Sequence, residues 1–361
     1  MFDLTIVIPT FNERQNIGPM VAALDACLEG KRWEVLFVDD NSPDRTYEEV
    51  AKIAMKDERV RLLHRIGRRG LSSACIEGML TSTAPLLAVM DADFQHDQTI
   101  LLAMIDKVEN ETLELVIASR YMQGGSTGGG LSRARLAISR LATRASNWFS
   151  GCTLTDPMSG FFLLKHELLT KTQSSLSGEG FKILIDLVIT AGPDLRFGEV
   201  PYIMKPRAEG ESKLSVLVAL EFLLVLISKR TSNLLPVRFM MFVMVGMSGV
   251  VVHLSILTLL VKISGCNFLL SQSIATIIAM TSNFFLNNIL TYSDRQLGGS
   301  DLINGLFSFY IACGLGAIIN VALANFLFSL GWHFLLTGFA GAMAGAVWNY
   351  LATRNVTWRQ S

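Results

Sequence analysis

Residues 86–95 read Leu-Leu-Ala-Val-Met-Asp-Ala-Asp-Phe-Gln, an apolar strand that ends in two closely spaced carboxylates. Asp91 and Asp93 stand where the strand runs out, and an amide oxygen from Gln95 can join them. Such oxygen donors bind a hard divalent cation, and in an open α/β sheet ligands bind at the carboxyl ends of the strands. An Asp-x-Asp pair alone is usually a solvated loop. Its place after an apolar strand is what favours a metal–nucleotide site here.

The composition indicates a membrane protein. The chain has 361 residues, of which 17% are charged, and its mean hydropathy of +0.41 is too apolar for an ordinary soluble protein of this size. The apolar excess lies beyond Arg238, and the formal net charge of zero gives no reason to expect a nucleic-acid partner. The five cysteines are scattered, which favours a reducing compartment. The N-terminus lacks the basic region of a cleavable signal peptide.

Four apolar segments beyond Arg238 are long enough to cross a bilayer, which takes about 20 residues each. They are Phe239–Val261, Phe268–Tyr292, Leu302–Ser329 and Trp332–Thr353. Four crossings place both termini on one side, and the loops of that side carry most of the Lys and Arg residues, so both termini are predicted to be cytoplasmic. The apolar stretch 214–228 is too short to span and is expected to lie in the membrane interface. The predicted domains are a cytoplasmic domain at 1–213, an interfacial helix and linker at 214–233, and a four-helix transmembrane domain at 234–361.

The transmembrane segments contain a weak internal repeat. The stretch 283–292 matches 349–358 at its Asn, aromatic and Thr positions. A second match aligns Phe239, Phe242 and Gly246 with Phe307, Tyr310 and Gly314. The glycines that suit tight helix packing are Gly246, Gly249, Gly314, Gly316, Gly341 and Gly345. The intramembrane polar residues are Asn283, Asn287, Asn320, Asn325 and His253. These polar residues could line a path for a polar headgroup, but hydrogen bonding between helices is the favoured interpretation.

The N-terminal half alternates strand-like and helical patterns. The strand-like stretches are Thr5–Pro9, Trp33–Val38, Arg61–His64, Leu86–Met90 and Glu114–Ala118. This alternation predicts an α/β fold with a mostly parallel sheet and helices on both faces. Polar or acidic residues follow the first, second and fourth strands, so they are expected to gather at one rim. No Gly-x-Gly-x-x-Gly or P-loop sequence is present, which disfavours a dehydrogenase-type dinucleotide fold.

Several motifs fall in the order of a known enzyme family. They are Val-Ile-Pro-Thr-Phe-Asn-Glu13, Val-Asp-Asp-Asn-Ser-Pro-Asp-Arg-Thr46, Arg-Gly-Leu-Ser-Ser-Ala74, Asp-Ala-Asp-Phe-Gln95, Ser-Arg-Tyr121, Asp-Pro-Met-Ser-Gly-Phe161 and Arg-Ala-Glu-Gly-Glu-Ser-Lys-Leu214. Over residues 1–230 the chain resembles family 2 glycosyltransferases, and the last three motifs resemble those of polyprenol-phosphate (dolichol-phosphate) mannose synthases. The C-terminal half resembles the small membrane domain fused to some of these synthases. The resemblance implies a GT-A nucleotide-sugar-binding domain followed by an α-helical transmembrane domain.

The resemblance also implies a divalent cation, Mg²⁺ or Mn²⁺, at the strand end described above. Asp91, Asp93 and Gln95 would hold it, so that it offsets the charge that builds on a departing diphosphate. Arg207 and Lys213 would add positive charge on the same leaving group. These two residues could instead form a basic patch that faces anionic lipid, and the two roles are compatible.

The nucleoside of the donor would be held, by the same resemblance, at the ends of the first two strands. The residues implied are Pro9, Phe11, Glu13 and Asp40. Asp40 would accept a hydrogen bond from the base. From the residues alone, Glu13 and Asp40 could equally be helix caps.

The acceptor would be the phosphate of a polyprenol lipid, which is already anionic and needs cations rather than a general base. Arg120 follows the fifth strand, and Arg135 lies on a predicted helix rich in arginine; both are expected to bind the lipid phosphate, with Arg133 as the alternative. Arg140 and Arg144 are expected to contact lipid headgroups. The glycine-rich run before this helix is either a lid that orders around the acceptor or a plain linker.

These assignments predict inverting transfer of mannose from GDP-mannose to polyprenyl phosphate, giving polyprenyl-phosphate β-mannose and GDP at the cytoplasmic membrane. The inversion follows from the resemblance rather than from residue spacing. One alternative is the same reaction with UDP-glucose or another nucleotide sugar. Another is a lipid-linked sugar translocase whose cytoplasmic domain only binds. A processive polysaccharide synthase is disfavoured because no Gln-x-x-Arg-Trp motif is found. The membrane domain is also a candidate surface for a homo-oligomer.

Overall fold

The computed structural model describes residues 2–126, 143–178, 183–205, 223–228, 231, 234–264, 268–332 and 334–359. The chain divides into two compact units, Met1–Leu234 and Leu235–Ser361. The first unit is an α/β domain, and the second is built from apolar helices.

The described residues of the first unit form a seven-stranded sheet with helices around it. The strands are β1 (Leu4–Thr10), β2 (Trp33–Asp39), β3 (Val60–His64), β4 (Leu86–Val89), β5 (Leu115–Ser119), β6 (Phe162–Lys165) and β7 (Phe197–Pro201). The helices are α1 (Arg14–Cys27), α2 (Thr46–Ala54), α3 (Leu71–Leu80), α4 (Leu101–Asn110), α5 (His166–Thr172) and α6 (Ile183–Ala191), and 143–150 and 223–228 are also helical. The strand order is β3-β2-β1-β4-β6-β5-β7.

The predicted strands are all present, and the sheet is mostly parallel as predicted. β1 pairs in parallel with β2 and β4, β2 with β3, and β5 with β7. β6 runs antiparallel to both of its neighbours, β4 and β5. The sequence pattern does not predict β6 or β7, because β6 has only four residues and β7 contains Gly198 and Glu199. Val89 at the end of β4 pairs with Phe162 at the start of β6, so the loop before β6 reaches the edge where β4 ends.

Helices cover both faces of the sheet, as the alternating pattern predicts. Ile6 and Ile8 belong to the core that includes residues of α1, α2 and α4, whereas Val7 belongs to the core that includes residues of α3, α5 and α6. All three side chains are fully buried, and burying a side chain of this size stabilises the fold by roughly 1.5–3 kcal/mol. β4 is buried along its whole length. The sheet is therefore rigidly packed up to the residues that follow this strand.

The second unit has long helices over the predicted membrane segments. They are α7 (Val237–Thr258), α8 (Phe268–Leu286), α9 (Ser300–Ser329) and α10 (Phe334–Ala352). π-Helical turns continue α7, α8 and α10 at Leu259–Ile263, Asn287–Thr291 and Thr353–Thr357. Among the described residues, the stretches long and apolar enough to cross a bilayer are Val237–Lys262, Ser273–Thr291 and Ser300–Asn320. The fourth crossing, by α10, stays a prediction.

The internal repeat is visible in the contacts between these helices. Asn283 of α8 lies against Gly249 of α7, and Asn349 of α10 lies against Gly316 of α9. The contacts are so close that a methyl group on either glycine would collide with the facing amide. Each helix pair therefore depends on the combination of a glycine and an asparagine, which is the close backbone approach that small residues allow.

Aromatic residues form the core between the two repeats. Tyr292 and Trp358, which end the matching stretches, stack with ring centroids 4.2 Å apart and an interplanar angle of 8°. Two further ring pairs correspond to each other, Phe242 with Tyr350 at 5.8 Å and Phe309 with Phe284 at 5.7 Å. The equivalent of Phe242 in the second repeat is therefore Phe309. The sequence match predicted Tyr310, one residue further on, but the packed faces of α7 and α9 set the register.

Two predictions about the membrane helices are corrected by these contacts. Within the described residues, no atom lies within 4 Å of the position that a Cβ would take at Gly246 or Gly314, so these two glycines do not mediate tight packing. Asn287 donates a hydrogen bond to the Asn283 carbonyl (2.9 Å) and accepts one from the Thr291 hydroxyl (2.7 Å). The side chain of Asn287 thus bonds within its own helical segment rather than between helices.

Candidate active site

One edge of the sheet gathers the side chains that follow the strands. Thr10 pairs with Asp39, and Asp39 pairs with His64, so β1, β2 and β3 end level with one another. The residues that follow β1, β2, β3 and β4 at this rim include Phe11, Asp40, Arg65 and Asp91. The antiparallel β6 brings the loop 156–161 to the same rim, because β6 begins where β4 ends.

Asp91 and Asp93 occupy the turn just after β4. The Asp91 side chain is 41% exposed. The Gln95 backbone N–H donates to Asp93 Oδ1 (3.0 Å). The Gln95 side-chain amide donates to the Lys205 carbonyl (3.3 Å), and the Lys205 N–H donates to the Gln95 carbonyl (3.0 Å). The Asp-Ala-Asp turn is therefore tied to the segment that follows β7.

His96 closes this turn from the buried side. It is 3% exposed, and its Nδ1 accepts a hydrogen bond from the Asp91 N–H (3.1 Å). Its ring stacks on Phe161 with centroids 5.2 Å apart and meets Tyr202 edge-on at 5.8 Å. Burial lowers the pKa of His96 below its usual value, although the charges of Asp91 and Asp93 act in the opposite direction. The ring is therefore neutral near neutral pH.

The side chains at 91–95 fit a divalent cation that also binds a substrate. Two carboxylates and an amide are hard oxygen donors, and Mg²⁺ is commonly held by one or two carboxylates together with substrate phosphates. A Cβ at Gly160 would stand 3.4 Å from Asp91 Oδ2, so a glycine here lets the loop before β6 lie close to this carboxylate. In the parts of the chain that the structure describes, no three carboxylate, imidazole or thiol groups form a metal-binding cluster.

Asp40 is held in a fixed orientation at the end of β2. It is 7% exposed, and its Oδ2 accepts a hydrogen bond from the Gly70 N–H (2.8 Å). The fully buried Arg65 places Nε 2.8 Å from Asp40 Oδ1, in an ion pair that is not aligned as a hydrogen bond. Arg65 also donates to the Ser73 hydroxyl (3.1 Å) and pairs with Glu77 (3.4 Å). Burial raises the pKa of Asp40, and the Gly70 N–H and the Arg65 charge partly offset this rise.

Helix capping, the alternative role for Glu13 and Asp40, belongs to a different residue. Asp44 accepts hydrogen bonds from the Thr46 N–H (3.0 Å) at the start of α2 and from the Arg14 N–H (3.2 Å) at the start of α1. Glu13 precedes α1 but makes no side-chain cap to it in the described N-terminal segment. The carboxylates of Glu13 and Asp40 thus do not act as caps for α1 and α2.

Phe11 and Pro9 lie at the end of β1, where the nucleoside is expected. The Phe11 ring is 43% exposed, and the Arg69 guanidinium lies 4.7 Å from its centroid. Pro9 is half-buried and pairs in register with Val38. An exposed aromatic ring beside a guanidinium plane offers flat surfaces on which a planar base can stack.

Arg120 follows β5 and forms a buried ion pair with Asp156. Asp156 is fully buried, and it accepts hydrogen bonds from Arg120 Nε (2.7 Å), Nη2 (2.8 Å) and backbone N–H (3.2 Å). Glu199 of β7 accepts a hydrogen bond from the Thr155 N–H (2.9 Å) and holds this loop in place. The third nitrogen, Arg120 Nη1, lies 3.7 Å from Met204 Sδ. The guanidinium fork that was expected to bind a lipid phosphate is therefore used on Asp156.

The other predicted cationic residues lie outside the described residues. They are Arg133, Arg135, Arg140, Arg207 and Lys213. The second half of the glycine-rich run, from residue 127 onward, also lies outside. Arg144, expected to contact lipid headgroups, is exposed on the helical segment 143–150, one turn before Trp148, which is 76% exposed.

Sequence reasoning gives no role to three residues that the structure places at the rim, namely Arg65, His96 and Asp156. His96 directly follows the Asp-x-Asp-x-Gln pattern, and Asp156 is the first residue of the Asp-Pro-Met-Ser-Gly motif. Their positions beside these motifs could have marked both residues as part of the site. Arg65 gives no such signal, because an arginine at a strand end is usually solvated. Only the fold places it at 0% exposure beside Asp40.

Comparison with known proteins covers both units. Residues 5–172 match the family model "Glycosyl transferase family 2", and residues 241–358 match "GtrA/DPMS, transmembrane domain". A dolichol-phosphate mannosyltransferase of Pyrococcus furiosus is 32% identical over 98% of this chain and 99% of its own length. A dolichol-phosphate mannosyltransferase of Saccharomyces cerevisiae is 32% identical over 61% of this chain and 84% of its own length.

Among solved structures, a glucosyl-3-phosphoglycerate synthase from Mycobacterium tuberculosis, crystallised with Mn²⁺, UDP-glucose and phosphoglyceric acid, is also similar. It is 19% identical, covers 63% of this chain and 79% of its own, and has a TM-score of 0.49. The Pyrococcus relative, in contrast, matches this chain from end to end. This chain therefore belongs to the dolichol-phosphate mannosyltransferase family, as a membrane glycosyltransferase in which a family 2 domain of the GT-A class precedes a GtrA/DPMS transmembrane domain.

Proposed function

We propose that this protein transfers mannose from GDP-mannose to a polyprenyl phosphate, with inversion, to give polyprenyl-phosphate β-mannose and GDP. The observation that carries the proposal is the pair Asp91 and Asp93 at the end of β4, on the same rim as the fixed carboxyl group of Asp40. A nucleoside diphosphate needs both a cation site and a base site, and β2 and β4, which carry these residues, flank β1 in the sheet. The full-length likeness to a dolichol-phosphate mannosyltransferase supports mannose as the sugar.

The nucleoside end of the donor binds at the ends of β1 and β2 in this proposal. Asp40 accepts a hydrogen bond from the base, and the buried Arg65 keeps the Asp40 carboxylate in place for it. Phe11 offers its exposed ring to the base. Pro9 and Glu13 complete this part of the site.

Asp91, Asp93 and Gln95 would hold a divalent cation against the diphosphate. When bound, Mg²⁺ or Mn²⁺ offsets the negative charge that builds on the departing GDP. Arg207 and Lys213 add positive charge on the same diphosphate. The 41% exposure of the Asp91 side chain supports this role.

The acceptor phosphate is the nucleophile, and it needs no general base because it is anionic at neutral pH. It attacks the anomeric carbon from the side opposite GDP, so the configuration inverts. Arg135, with Arg133 as its alternative, holds this phosphate. Arg120 shapes the acceptor side through its pair with Asp156, and only its Nη1 edge can turn toward a phosphate.

The reaction takes place at the cytoplasmic face of the membrane in this proposal, with both termini cytoplasmic. The distribution of Lys and Arg between the two sets of loops supports this orientation. Association of the membrane domains into a homo-oligomer is part of the same proposal. Accessibility of single introduced cysteines near each terminus to an impermeant reagent, in right-side-out and inverted vesicles, tests the orientation. Cross-linking in native membranes tests the association.

In the deciding experiment, purified protein in detergent is incubated with a polyprenyl phosphate and Mn²⁺ or Mg²⁺. Radiolabelled GDP-mannose or UDP-glucose is added as the donor. Label that enters the organic phase from GDP-mannose alone, and that is lost with EDTA and in Asp93→Asn, supports the proposal. NMR of the product tests the β configuration. Label from UDP-glucose alone would reassign the donor. Binding of nucleotide sugar without transfer would favour a translocase that only binds.

A further inference from the structure

His96 contacts Asp91 at two different places. Its Nδ1 accepts the Asp91 backbone N–H (3.1 Å), and its Nε2 lies 3.8 Å from Asp91 Oδ2. Because Nδ1 accepts a hydrogen bond, it carries no proton, and the proton of the neutral ring sits on Nε2. That N–H therefore lies beside a carboxylate oxygen of the same aspartate. The imidazole ring therefore holds the backbone of Asp91 by a hydrogen bond and lies next to its carboxylate.

The ring of His96 is itself held by segments from elsewhere in the fold. It stacks on Phe161 with an interplanar angle of 28° and meets Tyr202 at 74°. A Cβ at Gly160 would stand 3.4 Å from both His96 Cε1 and Asp91 Oδ2, so the glycine lets the ring and the carboxylate come together. With 3% exposure, His96 is too buried to contact a ligand directly, so it acts through the residues that it touches.

We infer that His96 is a positioning residue that presents the Asp91 carboxylate to the cation. The inference rests on the proposed function, because it requires Asp91 to bind a cation. A carboxylate that is already oriented loses less conformational freedom when the ion binds. Groups that orient metal ligands from behind typically change metal affinity by about 10–100-fold.

The test uses three variants of the full-length protein. His96→Phe keeps the ring and its stacking but removes both nitrogens. His96→Asn keeps an acceptor near the position of Nδ1 and removes Nε2. His166→Phe is the matched control, because Lys165, just before His166, pairs with Leu86 at the opposite edge of the sheet. Free Mn²⁺ is measured by electron paramagnetic resonance during titration in the presence of GDP, and thermal unfolding checks that each variant is folded.

We expect His96→Phe to raise the Mn²⁺ dissociation constant about 10–100-fold and His96→Asn about 3–10-fold. In turnover, the KM for Mn²⁺ should rise while kcat at saturating Mn²⁺ changes little. Unchanged Mn²⁺ affinity in both His96 variants would overturn the inference, and so would an equal loss in His166→Phe. Wild-type protein that binds no Mn²⁺ would instead refute the proposed cation site.

Discussion

Removing one partner of the buried pair between Arg120 and Asp156 should strongly destabilise the first unit. In Asp156→Leu the guanidinium keeps its charge, although its side chain is only 15% exposed and its carboxylate partner is gone. A cation left in this position is poorly solvated. The change also removes the acceptor of the Arg120 backbone N–H.

The expected loss is about 3–5 kcal/mol of the free energy of unfolding, which is typical when one member of a buried ion pair is removed. In a domain of this size each kcal/mol shifts the unfolding temperature by about 2–4 °C, so the midpoint should fall by about 6–20 °C. The double variant Arg120→Met/Asp156→Leu removes both charges and replaces them with apolar side chains of similar size. It should recover about 2 kcal/mol, and the unpaired backbone N–H should account for the remaining loss of about 1–3 kcal/mol.

The assay is thermal unfolding of purified protein in detergent, followed by intrinsic fluorescence, for wild type, both single variants and the double variant. A single variant that unfolds within about 1 °C of wild type would refute the buried pair. Transfer activity of the double variant then separates structure from chemistry. If the double variant is stable and fully active, Arg120 neither binds the lipid phosphate nor shapes its site.

Further predictions concern other parts of the chain. Asp91→Asn should lower the rate of transfer about 100-fold or more without changing the unfolding midpoint. The expected reason is that the weakened cation site stabilises the leaving diphosphate by several kcal/mol less. Burial alone would raise the pKa of Asp44, but the hydrogen bonds it accepts lower it below 3.8. Asp44→Ala should therefore cost about 0.5–2 kcal/mol at pH 7 and less at pH 3, in unfolding measured at both pH values. Gly249→Ala should destabilise the helical unit by about 1–3 kcal/mol in detergent unfolding, whereas Gly246→Ala should not. Arg135→Ala should raise the KM for lipid phosphate and leave the KM for GDP-mannose unchanged.

The main features of the fold follow from local patterns that the sequence displays directly. β1 to β5 are short apolar runs bounded by polar residues, and parallel pairing places their carboxyl ends together. This is why Asp40 and Asp91 could be assigned to one rim before any coordinates were known. The long apolar helices of the second unit are equally local signals.

One side of the candidate site depends on a strand that the sequence pattern does not reveal. β6 has four residues, and its antiparallel direction is a property of the whole sheet rather than of its own sequence. That direction decides whether the Asp-Pro-Met-Ser-Gly motif lies at the catalytic rim or at the far edge. The position of Asp156 beside Arg120 and that of Gly160 beside Asp91 both follow from it.

Charge pairing also limits what the sequence predicts about the site. The residue type determines the chemistry of a side chain, whereas the fold determines which partner it meets. Arg120 was expected to bind a phosphate because it is an arginine that follows a strand, yet its guanidinium group donates to Asp156. Asp40 was open to a capping role, yet Asp44 caps α1 and α2, and Asp40 meets the buried Arg65. In both cases a buried partner from a distant segment competes with the solvent or ligand contact that the local sequence suggests. For the proposed lipid phosphate acceptor, we therefore expect the cationic charge to come mainly from arginines other than Arg120.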